Sequence, residues 1–153
     1  MKRLITIALL FSILGLFACA QHSNQKEAKN ETPSVIQMDN DMFIDKVFDY
    51  KTNKEQWKYE GDKPAIIDFY ATWCGPCKMV APIMKSLAEE YKEDIYVYKV
   101  DTDQQRELSK AMGIQSLPTI LFIPMKGQPQ AIVGAASKKV FEDAVKEVLL
   151  KNK

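Results

Sequence analysis

Residues 65–71 (Ala-Ile-Ile-Asp-Phe-Tyr-Ala) form a nearly continuous apolar run, and it stops at Trp73-Cys74-Gly75-Pro76-Cys77-Lys78. A run of this kind, rich in β-branched and aromatic residues, suits a strand covered on both faces. Apolar residues then recur at Val80, Ile83, Met84, Leu87 and Tyr91, so the spacing predicts a helix from Cys77 to Tyr91. Pro82 falls inside it, where a missing N–H predicts a kink. Ile95 to Val100 reads as the next strand, and the strand–helix–strand unit 65–100 predicts a right-handed parallel crossover.

The flanking segments extend this pattern. Asp39-Asn40-Asp41 supplies cap-like residues ahead of Met42, Phe43, Ile44, Val47 and Phe48, apolar at helical spacing. Residues 51–63 are polar and turn-rich, with Trp57 and Tyr59 as isolated aromatics, and fit a loop or a small hairpin equally well. Gln104 to Met112 reads as a short helix entered through Asp103 and left at Gly113. Thr119 to Ile123 reads as a strand, with Gln130 to Val133 as its hairpin partner across a turn containing Gly127. Ser137 opens a last helix with Phe141, Ala144, Val145, Val148 and Leu149 on one side. Alternating strands and helices that end in a hairpin and a helix imply an α/β sandwich around a mixed sheet.

The chemistry lies in the cysteine spacing. Two cysteines three apart at a helix start can bring their sulfurs within bonding distance, and the first faces unpaired N–H groups and the positive end of the helix dipole. That setting favours the thiolate, the form that attacks disulfides. Pro76 needs no N–H partner in a first helical turn and stiffens the loop. Three other readings compete. A structural disulfide closing so short a loop stabilises by only about 2 kcal/mol. Half a zinc site would lack partners, because zinc normally takes four ligands and only Cys19 and His22 remain. Inert buried cysteines fit poorly with the turn residues between them, which argue for exposure. A reactive dithiol is the reading these residues favour.

Composition narrows the field further. The 153-residue chain is 46% apolar and 27% charged with a formal net charge of +1, which excludes a disordered, collagen-like or multi-span membrane chain. No basic footprint invites nucleic acid. Met1-Lys2-Arg3 precedes a mostly apolar stretch from Leu4 to Phe17, and the chain turns polar after Ala20. This is the pattern of a secretory signal. Ala18-Cys19-Ala20 fits ordinary cleavage after Ala20, while Leu16-Phe17-Ala18-Cys19 resembles the bacterial lipoprotein box, with Cys19 as lipid attachment site. The second cut is favoured. It gives a signal peptide at 1–18, a flexible tether at 19–34 and a folded domain at 35–153. The mature chain would keep 19 positive against 20 negative charges, with no pull toward anionic partners.

Residues 65–82 (AIIDFYATWCGPCKMVAP) resemble the active-site segment of the thioredoxin family, with the Trp-Cys-Gly-Pro-Cys-Lys core intact. The likeness covers about 35–153 and includes the spacing to Leu117-Pro118-Thr119 and to Gly134. It implies the thioredoxin fold, an α/β architecture with a central mixed sheet flanked by helices on both faces. It also implies a protein-disulfide reductase: Cys74 attacks a substrate disulfide, and Cys77 resolves the mixed disulfide. No metal and no cofactor beyond the Cys74–Cys77 disulfide is expected.

Asp68, the one charge in the apolar run, is either a polar residue on a partly exposed strand or a buried carboxyl of raised pKa that exchanges protons near neutral pH. The resemblance assigns it proton exchange with Cys77, through a water. Lys99 matches the family's lysine near that carboxylate, against the reading of an ordinary exposed strand lysine. The default for an X-Pro bond is trans, but the resemblance implies a cis Pro118 lying against the sulfurs and exposing the Leu117 backbone to a substrate peptide. Trp73, which could instead be core, would join Gly75, Pro76, Leu117 and Gly134 in a shallow docking surface. Tyr70 stands where the family often has Trp, Thr72 where it often has an acid, and residues 51–61 look like an insertion.

The expected partners are disulfide-containing envelope proteins, a separate redox protein as electron donor, and the membrane through the N-terminal lipid. The expected setting is the periplasm, and the expected state a monomer that binds no nucleic acid. A disulfide oxidase or isomerase is the first alternative, suggested by the oxidising export compartment, although Gly-Pro between the cysteines counts against a strong oxidant. A redox-independent binding module on the same scaffold is the second.

Overall fold

The computed structural model describes residues 35–53 and 55–151; the expected signal, Cys19 and the tether lie outside the described residues. The elements run β1 (Ile36–Gln37), α1 (Asn40–Lys46), β2 (Ala65–Tyr70), α2 (Gly75–Glu90), β3 (Tyr96–Asp101), α3 (Arg106–Ala111), β4 (Thr119–Ile123), β5 (Gln130–Val133) and α4 (Lys138–Ala144). Past α4 the chain winds on through a wider π-helical segment, Val145–Leu150. Among the described residues no helix is long and apolar enough to cross a membrane.

The five strands form one mixed sheet in the order β1-β3-β2-β4-β5. β1, β3 and β2 run parallel, whereas β4 is antiparallel to both β2 and β5. The apolar run 65–70 occupies the central strand, which explains why five of its six residues are buried. Its alternation divides the core. Ile66 joins Val97, Ile120 and Phe122 in a cluster with Val80, Met84 and Leu87 of α2 and Phe141, Val145 and Leu149 of the C-terminal helix. Ala65, Ile67 and Phe69 face the other way, with Phe43 of α1 and Leu108 of α3. Helices thus cover both faces of the sheet, an arrangement that parallel strands require.

Local chemistry sets the element ends. Asp39 caps α1, its carboxylate accepting the Met42 N–H at 2.8 Å. α2 starts two residues earlier than its apolar spacing predicts, with Cys74 at the cap, and it continues through Pro82 to Glu90. α3 is not entered through Asp103. The Asp101 carboxylate accepts the Asp103 N–H at 3.0 Å and the Gln104 side-chain amide at 3.1 Å. The Asp101 carbonyl accepts the Gln105 N–H at 2.8 Å, so the first residues of the expected helix are drawn into a turn. Residues 51–63 form no hairpin among those described; Trp57 instead packs on Phe48, ring centroids 4.5 Å apart.

Candidate active site

Strand β2 delivers the chain to the sheet's C-terminal edge, and α2 begins there. Cys74 holds extended backbone (φ −75°, ψ 108°) as the cap of α2, and its sulfur accepts the Cys77 N–H at 3.2 Å. The sulfur therefore takes the place an N-cap side-chain oxygen usually fills, at the positive end of the helix dipole. Cys74 and Cys77 are joined as a disulfide, S–S 2.09 Å and Cα–Cα 5.4 Å.

The turn residues expose themselves but not the sulfurs. Gly75 and Pro76 are exposed and Trp73 is 70% exposed, while Cys74 and Cys77 are only 4% and 3% exposed. This corrects the expectation that the intervening turn would expose both cysteines. The two side chains close on each other and are packed by Ala71, Tyr70 and Leu117. Cys74 still borders a shallow groove of about 410 Å³, between residues 73–76 on one side and 114–117 on the other. The Leu117–Pro118 peptide is cis. Pro118 is buried at the start of β4, and half-buried Leu117 lines the groove.

Gly134 follows β5 with φ +89°, a backbone that L side chains rarely adopt. Its N–H donates to the Pro118 carbonyl at 2.8 Å. Gly134 thus holds the cis-proline from the far side and does not line the groove itself. Trp73 is not core: its indole N–H donates to the Asp103 carboxylate at 2.7 Å, standing the ring up as one groove wall.

Asp68 points to the sheet face that α2 covers and is 4% exposed, with Oδ1 finding no hydrogen-bond partner. Desolvation pushes its carboxyl up to about 7, although the Lys99 charge pulls the other way. Lys99 lies directly opposite Asp68 in the parallel β2–β3 register. Its ammonium stands 5.9 Å from the centre of the Tyr70 ring. The surroundings bring together Cys74, Cys77, Trp73, Gly75, Pro76, Leu117 and Pro118 at one end of the sheet, with Asp68 and Lys99 in register on neighbouring strands. Among the described residues no three His, Cys, Asp or Glu side chains gather to hold a metal.

Sequence reasoning missed Asp103, Thr102 and residues 114–116 of the groove wall. Asp103 offered only the signal of an acid at a strand end, and its contact reaches back thirty residues to Trp73. Thr102 is tied down by its N–H and hydroxyl, both donating to the Tyr70 carbonyl.

A two-cysteine disulfide at a helix start, bordering a groove whose far wall ends at the Leu117–Pro118 cis peptide, is the arrangement of a thiol–disulfide oxidoreductase. The Thioredoxin family model matches residues 34–147, and the chain belongs to that family. It is 53% identical over 112 residues to the thioredoxin of Borreliella burgdorferi, covering 73% of this chain and 95% of that protein. It is 38% identical over 100 residues to the M-type chloroplastic thioredoxin of Spinacia oleracea, covering 63% and 55%. Among solved structures it resembles chloroplastic thioredoxin z, with a TM-score of 0.60 and 28% identity, covering 74% of this chain and 92% of that one. The thioredoxin of Malassezia sympodialis gives a TM-score of 0.59 and 31% identity, covering 74% and 90%. The chain is accordingly a thioredoxin-type protein-disulfide reductase, acting on disulfide-containing proteins through its own cysteine pair and needing no bound cofactor.

Proposed function

We propose that this thioredoxin is exported and reduces disulfides of cell-envelope proteins from a membrane tether. The observation that carries the reaction is the Cys74–Cys77 disulfide capping α2 at the edge of the groove. In the reduced form, the Cys74 thiolate attacks one sulfur of a substrate disulfide, forming a mixed disulfide and expelling the other sulfur as a thiolate. Cys77, losing its proton, attacks Cys74 and releases the second substrate thiol. Two electrons pass to the substrate, and the Cys74–Cys77 bond re-forms. A separate redox protein returns two electrons to the pair.

Asp68 takes the proton that Cys77 gives up. A carboxyl held near 7 can accept and return a proton at neutral pH, which an ordinary carboxylate cannot do efficiently. Lys99, opposite it, limits how far that carboxyl rises. The substrate lies extended against the Leu117 backbone beside cis Pro118, with Trp73, Gly75 and Pro76 across the groove and Gly134 bracing the proline. Residues 1–18 act as the signal, Cys19 carries the lipid, and 19–34 serve as tether. This places a monomeric domain, 35–153, on the periplasmic side of the envelope. The reading rests on the basic, apolar and small-residue pattern of residues 1–20.

The mechanism is tested by trapping. Cys77→Ser should accumulate a mixed disulfide between Cys74 and a reducible protein substrate, while Cys74→Ser should accumulate none. Adducts through Cys77 in the Cys74→Ser protein, or none in either, would contradict the assigned order of attack.

A further inference from the structure

Three parallel strands place Gln37, Lys99 and Asp68 side by side. Gln37 of β1 is in register with Lys99 of β3, which is in register with Asp68 of β2. Tyr70, two residues beyond Asp68, shares that sheet face and stands opposite Asp101. Its hydroxyl hydrogen-bonds to the Gln37 side-chain oxygen at 3.2 Å, and the Gln37 amide donates to the Lys99 carbonyl at 3.3 Å. The Lys99 ammonium stands over the Tyr70 ring, 5.9 Å from its centre, within the range in which a cation is attracted by the ring face. Lys99 takes part in none of the ion pairs within 4.0 Å among the described residues. A lysine beside a buried carboxyl therefore rests on an aromatic face instead of closing onto the acid.

We propose that Tyr70 is a positioning residue: its ring, moored to β1 through Gln37, fixes where the Lys99 ammonium stands relative to the buried Asp68 carboxyl. The aromatic face holds the charge near enough to be felt by Asp68, yet apart from it, so the acid is not locked as a carboxylate in an ion pair. The inference rests on the reading of Asp68 as proton acceptor and adds to it a control set by a residue that packs beside the cysteine pair but makes and breaks no bond in the reaction. The charged and titratable groups around this site are few. Lys99 is faced by Asp68 and Tyr70 from β2 and by Asp101 on its own strand. Asp101 is occupied by the Asp103 N–H and the Gln104 amide. The buried side of α2 brings Cys77 and otherwise only Val80, Met84, Leu87 and Ala88. The C-terminal helix buries Phe141, Val145 and Leu149, none of them charged.

The test is the titration of the Asp68 carboxyl, followed by carbon-13 NMR in the oxidised protein, alongside the pH–rate profile of disulfide reduction. Tyr70→Leu frees Lys99 to approach Asp68 and should move the midpoint down by roughly half to one pH unit. Tyr70→Phe keeps the ring and loses the mooring, so a smaller shift in the same direction is expected; it also serves if the leucine variant does not fold. Tyr70→Trp restores an aromatic face and should lie nearest the original midpoint. The decisive comparison is Tyr70→Leu in a Lys99→Met background, where the shift should vanish. A shift of equal size in that background would mean that the ring acts by excluding water alone, and would overturn the proposal, as would no shift in Tyr70→Leu with Lys99 intact. If the midpoints move as expected but the pH–rate profile stays fixed, Tyr70 positions Lys99 and the proton-accepting role of Asp68 is what fails.

Discussion

Asp68 and Asp101 are buried to nearly the same degree, 4% and 3% exposed, on strands that pair with each other. Their surroundings differ in kind. Asp101 sits where β3 ends, and its two oxygens accept the Asp103 N–H and the Gln104 amide. Asp68 sits mid-strand, where neighbouring N–H groups are already used by the sheet ladder, and its Oδ1 is left without a partner. The difference teaches that burial alone does not make a carboxyl chemically active. A hydrogen-bonded buried acid holds a turn together. A buried acid denied such bonds stores an unfavourable desolvation energy and becomes ready to hold a proton.

The largest expected effect separates the two residues by sign. The folded-state pKa of Asp68 is raised from 3.8 to about 7, so the native protein binds more protons than the unfolded chain between those values. The stabilising contribution of that bound proton is complete below pH 4 and is lost as pH rises through 7. Asp68→Asn removes the charged form and should stabilise the fold by up to about 4 kcal/mol at pH 8, with little gain at pH 4. Urea denaturation at both values checks this, and a gain independent of pH would break the contrast. The same variant should slow disulfide exchange near neutral pH.

Asp101→Ala should do the opposite, destabilising the fold by about 1–3 kcal/mol because it strands the Asp103 N–H and the Gln104 amide. Urea melts check this, and a stability unchanged or raised would show that the two acids are less distinct than their hydrogen bonding suggests.

The parts of this molecule legible in the sequence are those whose physics is local. The central strand, the capped helix after it and the cysteine pair lie within thirty residues and carry their own periodicity and turn chemistry. Asp68 was legible as a charge inside an apolar run. The β4–β5 hairpin was legible because Pro118 precedes a short apolar run at 119–123 and turn residues around Gly127 follow it. Strand β1 was not, because two residues have no period to detect. α3 starts later than its sequence suggests because Asp101 accepts the Asp103 N–H on its carboxylate and the Gln105 N–H on its main-chain carbonyl, which holds residues 101–105 in a turn. The Trp73–Asp103 and Tyr70–Gln37 contacts span 30 and 33 residues, so only the folded sheet brings them together. The near-complete burial of the cysteines is not legible in the sequence for a related reason. Leu117, which helps to cover them, arrives from forty residues away.

Cys74 and Cys77 form a reducing couple, and the direct measurement is its reduction potential in defined thiol–disulfide buffers. A value near about −270 mV, where thioredoxins lie, is predicted. A value between about −120 and −180 mV, the range of strong oxidants and isomerases, would contradict it and make this protein a donor or shuffler of disulfides.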